Sequence, residues 1–218
     1  MTRIFGILIA VLFLSVGNTA SAQYYSSELL KRAQDGDVDA QYNLGSAYYY
    51  GKGIEQDYGE AMKWFRLAAE QEDAEAQTIL GSAYQYGTGF EQDYAEAVKW
   101  YRLAAEQGYA DAQFNLGNAY RNGRGVEQDY VEAVKWLRLA AEQGNAFAQI
   151  NLGYAYYVGE GVVQDFVYAH MWANISASLG MEDAVNKRKL VSKEMTPEQI
   201  AEAQKLAREC VRKAYKDC

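Results

Sequence analysis

Apolar residues recur at intervals of three and four along most of the chain, and the pattern starts over every 36 residues. Between residues 39 and 50, Ala40, Leu44, Ala47 and Tyr48 share one side of a helical wheel, which predicts a first helix of about twelve residues. Gly51 follows it and suits the left-handed position past a helix end, where glycine carries no Cβ penalty. Gly53 keeps the connector tight. Asp57 then opens a second helix, on which Ala61, Trp64, Ala68 and Gln71 share a side. Asp57 with Glu60, Asp93 with Glu96 and Asp129 with Glu132 have the spacing of capping boxes, each carboxylate meeting free amides of the first turn.

The whole unit repeats in register. Trp64, Trp100, Trp136 and Trp172 mark it, together with Ala40-Gln41, Leu44-Gly45 and Tyr48 and their equivalents 36 residues apart. Each unit is one supersecondary element whose apolar side is covered by its neighbours. The predicted organisation is a half-repeat over 23–38, repeats over 39–74, 75–110, 111–146 and 147–182, and capping helices over 183–218. Thr196-Pro197, with Gln199 at the third helical position, announces the last of these helices. Gly45 and its equivalents stand mid-helix, where glycine costs about 1 kcal/mol relative to alanine. Close approach of a Trp or Tyr from the partner helix is the expected compensation.

Residues 1–22 stand apart. A positive start at Arg3, an apolar run from Ile4 to Val16 and Ala20-Ser21-Ala22 read as a secretory leader cleaved before Gln23. The run is too short for the roughly 20 residues of a membrane-spanning helix, so no membrane insertion is expected after cleavage. Cleavage removes Arg3 alone among the charged residues, leaving 20 Lys and Arg against 29 Asp and Glu, a net charge of −9. That balance disfavours nucleic acid or an anionic membrane as partner. A periplasmic or secreted location follows, and a monomer is expected.

The string A-x-A-Q-x-x-L-G-x-x-Y, G-x-G, D-Y-x-x-A, W, A-A-x-Q-G resembles the Sel-one-like repeat (SLR) family, a relative of the tetratricopeptide repeats. The resemblance implies an all-α, helix-turn-helix solenoid with a right-handed superhelix and a C-terminal capping helix. It also implies a scaffold or adaptor for protein complexes rather than an enzyme. Glu72 stands where other junctions carry Gly108, Gly144 and Gly180, so the first junction is expected to be less regular. In the fourth unit Met171-Trp172 replaces Lys-Trp and Tyr168 breaks the capping box.

If one side of each first helix holds the core, the opposite side carries positions that vary from unit to unit. In tetratricopeptide-like solenoids that side lines a concave groove. The candidate partner-binding residues are Tyr42, Ser46, Tyr49 and Tyr50; Ser82, Gln85 and Tyr86; Asn118, Arg121 and Asn122; and Tyr154 and Tyr157. Tyrosine gives large contact area with few rotamers and a polar tip, and Arg121 adds a donor fork. Filling of inter-repeat space is the plainer alternative for any single tyrosine. The reading is a non-enzymatic scaffold in the cell envelope holding a peptide or protein segment. A host-contact or virulence factor, or an enzyme acting on cell-wall material, are the alternatives.

Chemistry elsewhere is sparse. Cys210 and Cys218 are the only thiols, and eight residues of unbroken helix hold them about 12 Å apart. A bond within the chain therefore needs the helix to end near Tyr215 and the tail to fold back; pairing between chains and free thiols are the alternatives. His170 is the lone histidine and reads as a satisfied surface or interface group. The Gly-x-Gly pairs lack the Lys-Ser/Thr of a phosphate loop. No catalytic residue, metal ligand or cofactor site is predicted.

Overall fold

The computed structural model describes residues 27–218; the segment read as a leader, residues 1–22, and the cleavage expected before Gln23 lie outside them. Among the described residues regular structure is helical, without strands. The described residues divide into two compact units, 27–91 and 92–218. The first holds a helix over 27–34 (α1), then α2 (Val38–Tyr50), α3 (Tyr58–Glu70) and α4 (Ala74–Tyr86). The second holds α5 (Tyr94–Glu106), α6 (Ala110–Asn122), α7 (Tyr130–Glu142), α8 (Ala146–Val158), α9 (Phe166–Ser178), α10 (Glu182–Val191) and α11 (Pro197–Arg212). Within each unit successive helices pack on one another as stacked hairpins, the arrangement of a helical-repeat solenoid.

The connectors follow from local chemistry. Gly51, Gly87, Gly123 and Gly159 end the first helices in the left-handed conformation, each amide bonding back to a carbonyl four residues earlier. Asp57, Asp93, Asp129 and Asp165 cap the second helices by accepting from first-turn amides. The expected reciprocal half of the capping box is absent. Glu60, Glu96 and Glu132 pair instead with Lys63, Lys99 and Lys135 one turn on, at 2.7, 2.6 and 3.2 Å. Caps on the first helices, which the repeat pattern left unread, come from Asp37, Asp73 and Asn145.

The second member of each Gly-x-Gly pair does more than tighten a loop. A Cβ at Gly125 would lie 2.0 Å from the Tyr94 carbonyl oxygen, and one at Gly161 would lie 2.0 Å from that of Tyr130. Gly89 likewise meets the Tyr58 carbonyl and Met62. These glycines seat each connector on the start of the preceding repeat's second helix. Gly53 has nothing to meet.

Packing corrects the expected core. Phe65, Tyr101 and Leu137, each one residue past a tryptophan, are almost fully buried, whereas Trp64, Trp100 and Trp136 are only half-buried. Trp172 alone is fully enclosed. Accordingly the mid-helix glycines meet Phe65 at Gly45 and Leu137 at Gly117, while Gly153 meets the Ala169 carbonyl and the Cβ of Trp172.

Buried glutamines bind repeat to repeat. The amide nitrogens of Gln41, Gln77, Gln113 and Gln149 donate to the carbonyls of Ala33, Ala69, Ala105 and Ala141, at 3.0 to 3.2 Å. The Gln41 and Gln113 oxygens then accept from Gln71 and Gln143, both at 2.8 Å. Leu179 takes that second position in the fourth repeat, leaving the buried Gln149 oxygen unpartnered. Its backbone (φ −86°, ψ 7°) matches that of Gln143 (φ −94°, ψ 5°). Leu179→Gln therefore restores an acceptor's bond and raises stability by about 1 kcal/mol in urea denaturation; an unchanged midpoint counts against the pairing.

Glu72 adopts φ 67°, in the left-handed region that Gly36, Gly108, Gly144 and Gly180 occupy at the other junctions. The junction is thus as regular as the others, with the side chain under backbone strain. Glu72→Gly should gain about 0.5–1 kcal/mol, read as a higher melting temperature.

At the far end α10 begins 36 residues after α8, so it is the first helix of a fifth, shortened repeat. A brief turn over Ser192–Glu194 replaces the glycine connector, and the Thr196–Gln199 capping box starts α11. Helix α11 stops at Arg212, and left-handed residues at Ala214 (φ 51°), Tyr215 (φ 67°) and Asp217 (φ 53°) reverse the chain. Cys218 returns to within 5.4 Å of Cys210, Cα to Cα, and the two are bonded. The clasp presses Tyr215 onto Gly144 and the core of α7 to α9.

Candidate functional site

The predicted partner face is built differently in the two units. In the first, Tyr42, Ser46, Tyr49 and Tyr50 of α2 face Ser82 and Tyr86 of α4 across a cleft of about 160 Å³. Phe65 forms the floor, with Ile79, Ala83 and Thr88 completing the wall. The tyrosines lie edge to face: Tyr49 meets Tyr50 at 4.9 Å, Tyr58 at 5.1 Å and Phe65 at 6.4 Å, ring centre to ring centre. Tyr42 packs on Phe65 at 5.5 Å and bonds Glu75 through its hydroxyl. Lys52 sits 5.2 Å above the Tyr50 ring. At the mouth Tyr50 and Tyr86 are 63% and 70% exposed, unusual for aromatic side chains of this size. Gln85 is half-buried beside, not within, the cleft lining.

In the second unit the equivalent face is engaged. Tyr154 carries Arg121 at 5.0 Å and Lys187 at 5.5 Å from its ring centre. Arg121 also pairs with Glu160 at 3.6 Å, so it is not the uncommitted fork that spacing suggested. Asn118 accepts from Asn151 at 2.8 Å, and the Asn122 amide donates to the Asn118 carbonyl at 2.8 Å. Tyr157 packs on Phe166 at 5.8 Å. Leu190 and Val191 of α10 stand where α4 has Ser82 and Ala83, and the space among Ile150, Tyr154, Tyr157 and Ala173 shrinks to about 20 Å³. The same register is open in one unit and filled in the other: Ser46, Ser82 and Ala83 give way to Tyr154, Leu190 and Val191.

The Arg of each second helix supports this face from behind. Arg102 and Arg138 donate to Tyr120 and Tyr156 of the next repeat at 2.8 and 2.7 Å, and Arg66 does the same to Tyr84. Tyr84 stacks on Phe90 at 4.5 Å, and Tyr156 on Tyr168 at 5.2 Å. These recurring tyrosines are structural, and their partners sit 18 residues back in the chain.

Among the described residues no cluster of His, Cys, Asp or Glu is placed to hold a metal ion. No helix there is long and apolar enough to cross a membrane. His170 is 2% exposed with its Nδ1 unpartnered, whereas a satisfied surface or interface group was expected. Burial, reinforced by Arg188, holds its pKa below 6.5. The folded state therefore keeps it neutral, and its stability contribution, complete above pH 6.5, is lost as pH falls below that value. The loss sets in as pH falls through 6.5 and ceases once the folded-state imidazole is protonated as well. His170→Phe should flatten that part of the stability profile; an unaltered profile would assign the slope to carboxylates.

Four tandem matches to the Sel1 repeat model cover residues 38–73, 74–109, 110–145 and 146–181, frames set one residue earlier than those read from the sequence. The chain belongs to the Sel1 repeat family. Sel1 repeat proteins are in general scaffolds for protein–protein interaction and typically not enzymes. Among solved structures, a protective antigen present in uropathogenic Escherichia coli strains is similar, with 37% identity and a TM-score of 0.79. The alignment covers 86% of this chain and 41% of the antigen. A Sel1 repeat protein from Oxalobacter formigenes shows 38% identity and a TM-score of 0.68, covering 75% of this chain and 48% of that one. This chain thus matches less than half the length of either relative. No curated protein matches.

Proposed function

We propose that this Sel1 repeat protein is an exported, non-enzymatic scaffold that binds a protein segment at the tyrosine cleft between α2 and α4. The observation that carries this is the contrast within one chain between fixed and variable positions. Inter-repeat glutamines, arginines and glycines recur because packing requires them. The side chains facing away from that packing vary, and in the first unit they leave an open aromatic cleft. Exposed tyrosines that could have been closed off by two branched residues, as at Leu190 and Val191, are the kind of surface that binding energy concentrates on. The leader-like residues 1–22 support action in the cell envelope or beyond it. Likeness to a protective antigen of uropathogenic strains favours host contact as the second reading, by the same binding mechanism.

In-cell photo-crosslinking tests it. A crosslinking amino acid at position 86 should give a discrete protein adduct, and one at position 63, on the exposed side of α3, should not. Equal adducts from both positions, or none from 86, would contradict binding at the cleft.

A further inference from the structure

The filled face of the second unit suggests what the open cleft of the first one takes. In the second unit the fold lays two cations, Arg121 and Lys187, on the ring of Tyr154, which stands in the register of Ser46, and Leu190 and Val191 line the space beside that ring. In the first unit the corresponding side chains are Ser82 and Ala83, and Ile79 stands in the register of Lys187. Tyr49, Tyr50 and Tyr86 are left around a cavity that the chain does not fill. Charge points the same way. Residues 27–91 hold 12 Asp and Glu against 5 Lys and Arg, so an approaching cation meets an attractive field as well as ring faces. Lys52 above Tyr50 shows that this one ring already carries an ammonium group on a face.

We infer that the α2–α4 cleft selects a basic, aliphatic segment of its protein partner, with a Lys or Arg laid on the tyrosine faces and a neighbouring Leu or Val in the space above Phe65. Resting on the scaffold reading, this specifies the chemistry of what the scaffold holds. An acidic segment meets like charge, with only the neutral hydroxyl donors of tyrosine and serine in the cleft lining to offset it. A neutral aliphatic segment fills the cavity and leaves the ring faces unused.

Three pools of fluorescein-labelled random-sequence peptides, each rich in Leu and Val, separate these cases. One pool adds Lys and Arg, one Asp and Glu, one Ser. Anisotropy titrations on the full chain should rank the basic pool first by at least about fivefold over the neutral pool, given the usual strength of cation–ring contacts. The preference should shrink as salt is raised through the range where the Debye length falls below about 10 Å. Tyr86→Ala, at a largely exposed position, should reduce basic-pool affinity while leaving the melting temperature unchanged. Ser82→Leu, which copies the residue of the fifth repeat, should reduce binding of every pool. A basic pool that binds no better than the acidic or neutral pool, or whose binding ignores both substitutions, overturns the inference. An in-cell adduct from position 86 would then still stand for the scaffold, so the two failures are distinguishable.

Discussion

Alanine at Gly125 should destabilise the protein by about 3 kcal/mol or more, whereas alanine at Gly53, the same position of the first repeat, should cost only about 1 kcal/mol. Both residues hold positive φ, 75° and 76°, so both substitutions pay the same conformational penalty. They differ in what the new methyl group meets. At Gly125 it falls 2.0 Å from the Tyr94 carbonyl oxygen and 2.3 Å from its carbon, both backbone atoms that cannot rotate away. At Gly53 it enters open space. Urea denaturation of the two variants measures the difference directly. Equal losses would show that the glycine serves the loop alone and that the connector does not seat on the neighbouring repeat.

Gly117→Leu is expected to cost about 3 kcal/mol, and Gly117→Ala distinctly less. A Cβ there lies 2.9 Å from Leu137 Cγ and 3.1 Å from the Ala133 carbonyl oxygen. Leu137 can yield slightly to one methyl group, and alanine's better helix propensity offsets about 1 kcal/mol of the strain. The longer side chain has no path, because α6 and α7 approach along both residues. Thermal unfolding should place the three proteins in the order wild type, Ala, Leu. A leucine variant as stable as the alanine one would mean that the helices separate freely, and close packing would lose its role as the reason for a glycine in mid-helix.

Much of this scaffold is legible because packing writes the same requirement four times. Helix bounds, left-handed glycines and aspartate caps depend on neighbours within a few residues, and the 36-residue period exposes them. The core is harder to read. Trp64, Trp100 and Trp136 catch the eye by identity, yet the buried positions are Phe65, Tyr101 and Leu137, where only apolar character is kept. Glu60 looked like half of a capping box because spacing cannot show that Lys63 competes for it. Arg121 looked free because Glu160 lies in a later connector and Tyr154 in a later repeat. The burial of His170 did have a signal, since a helix apolar on nearly every side is one enclosed by its neighbours.

The open cleft had a signal that went unread. Continuing the period past residue 182 aligns Leu190 and Val191 with Ser82 and Ala83, and branched residues in place of small ones mark where the face closes. A shortened repeat without its Gly-x-Gly loop or tryptophan conceals that alignment. The clasp at Cys210 and Cys218 required left-handed residues at Ala214, Tyr215 and Asp217, which composition does not announce.

The central claim is that one stretch of a repeated face is open for a partner and its equivalent is closed by the chain itself. In-cell photo-crosslinking from position 49 and from position 157, the same register three repeats later, tests it most directly. A protein adduct from 49 with none from 157 is the predicted result; an adduct from 157 as strong as that from 49, or from 157 alone, would contradict it.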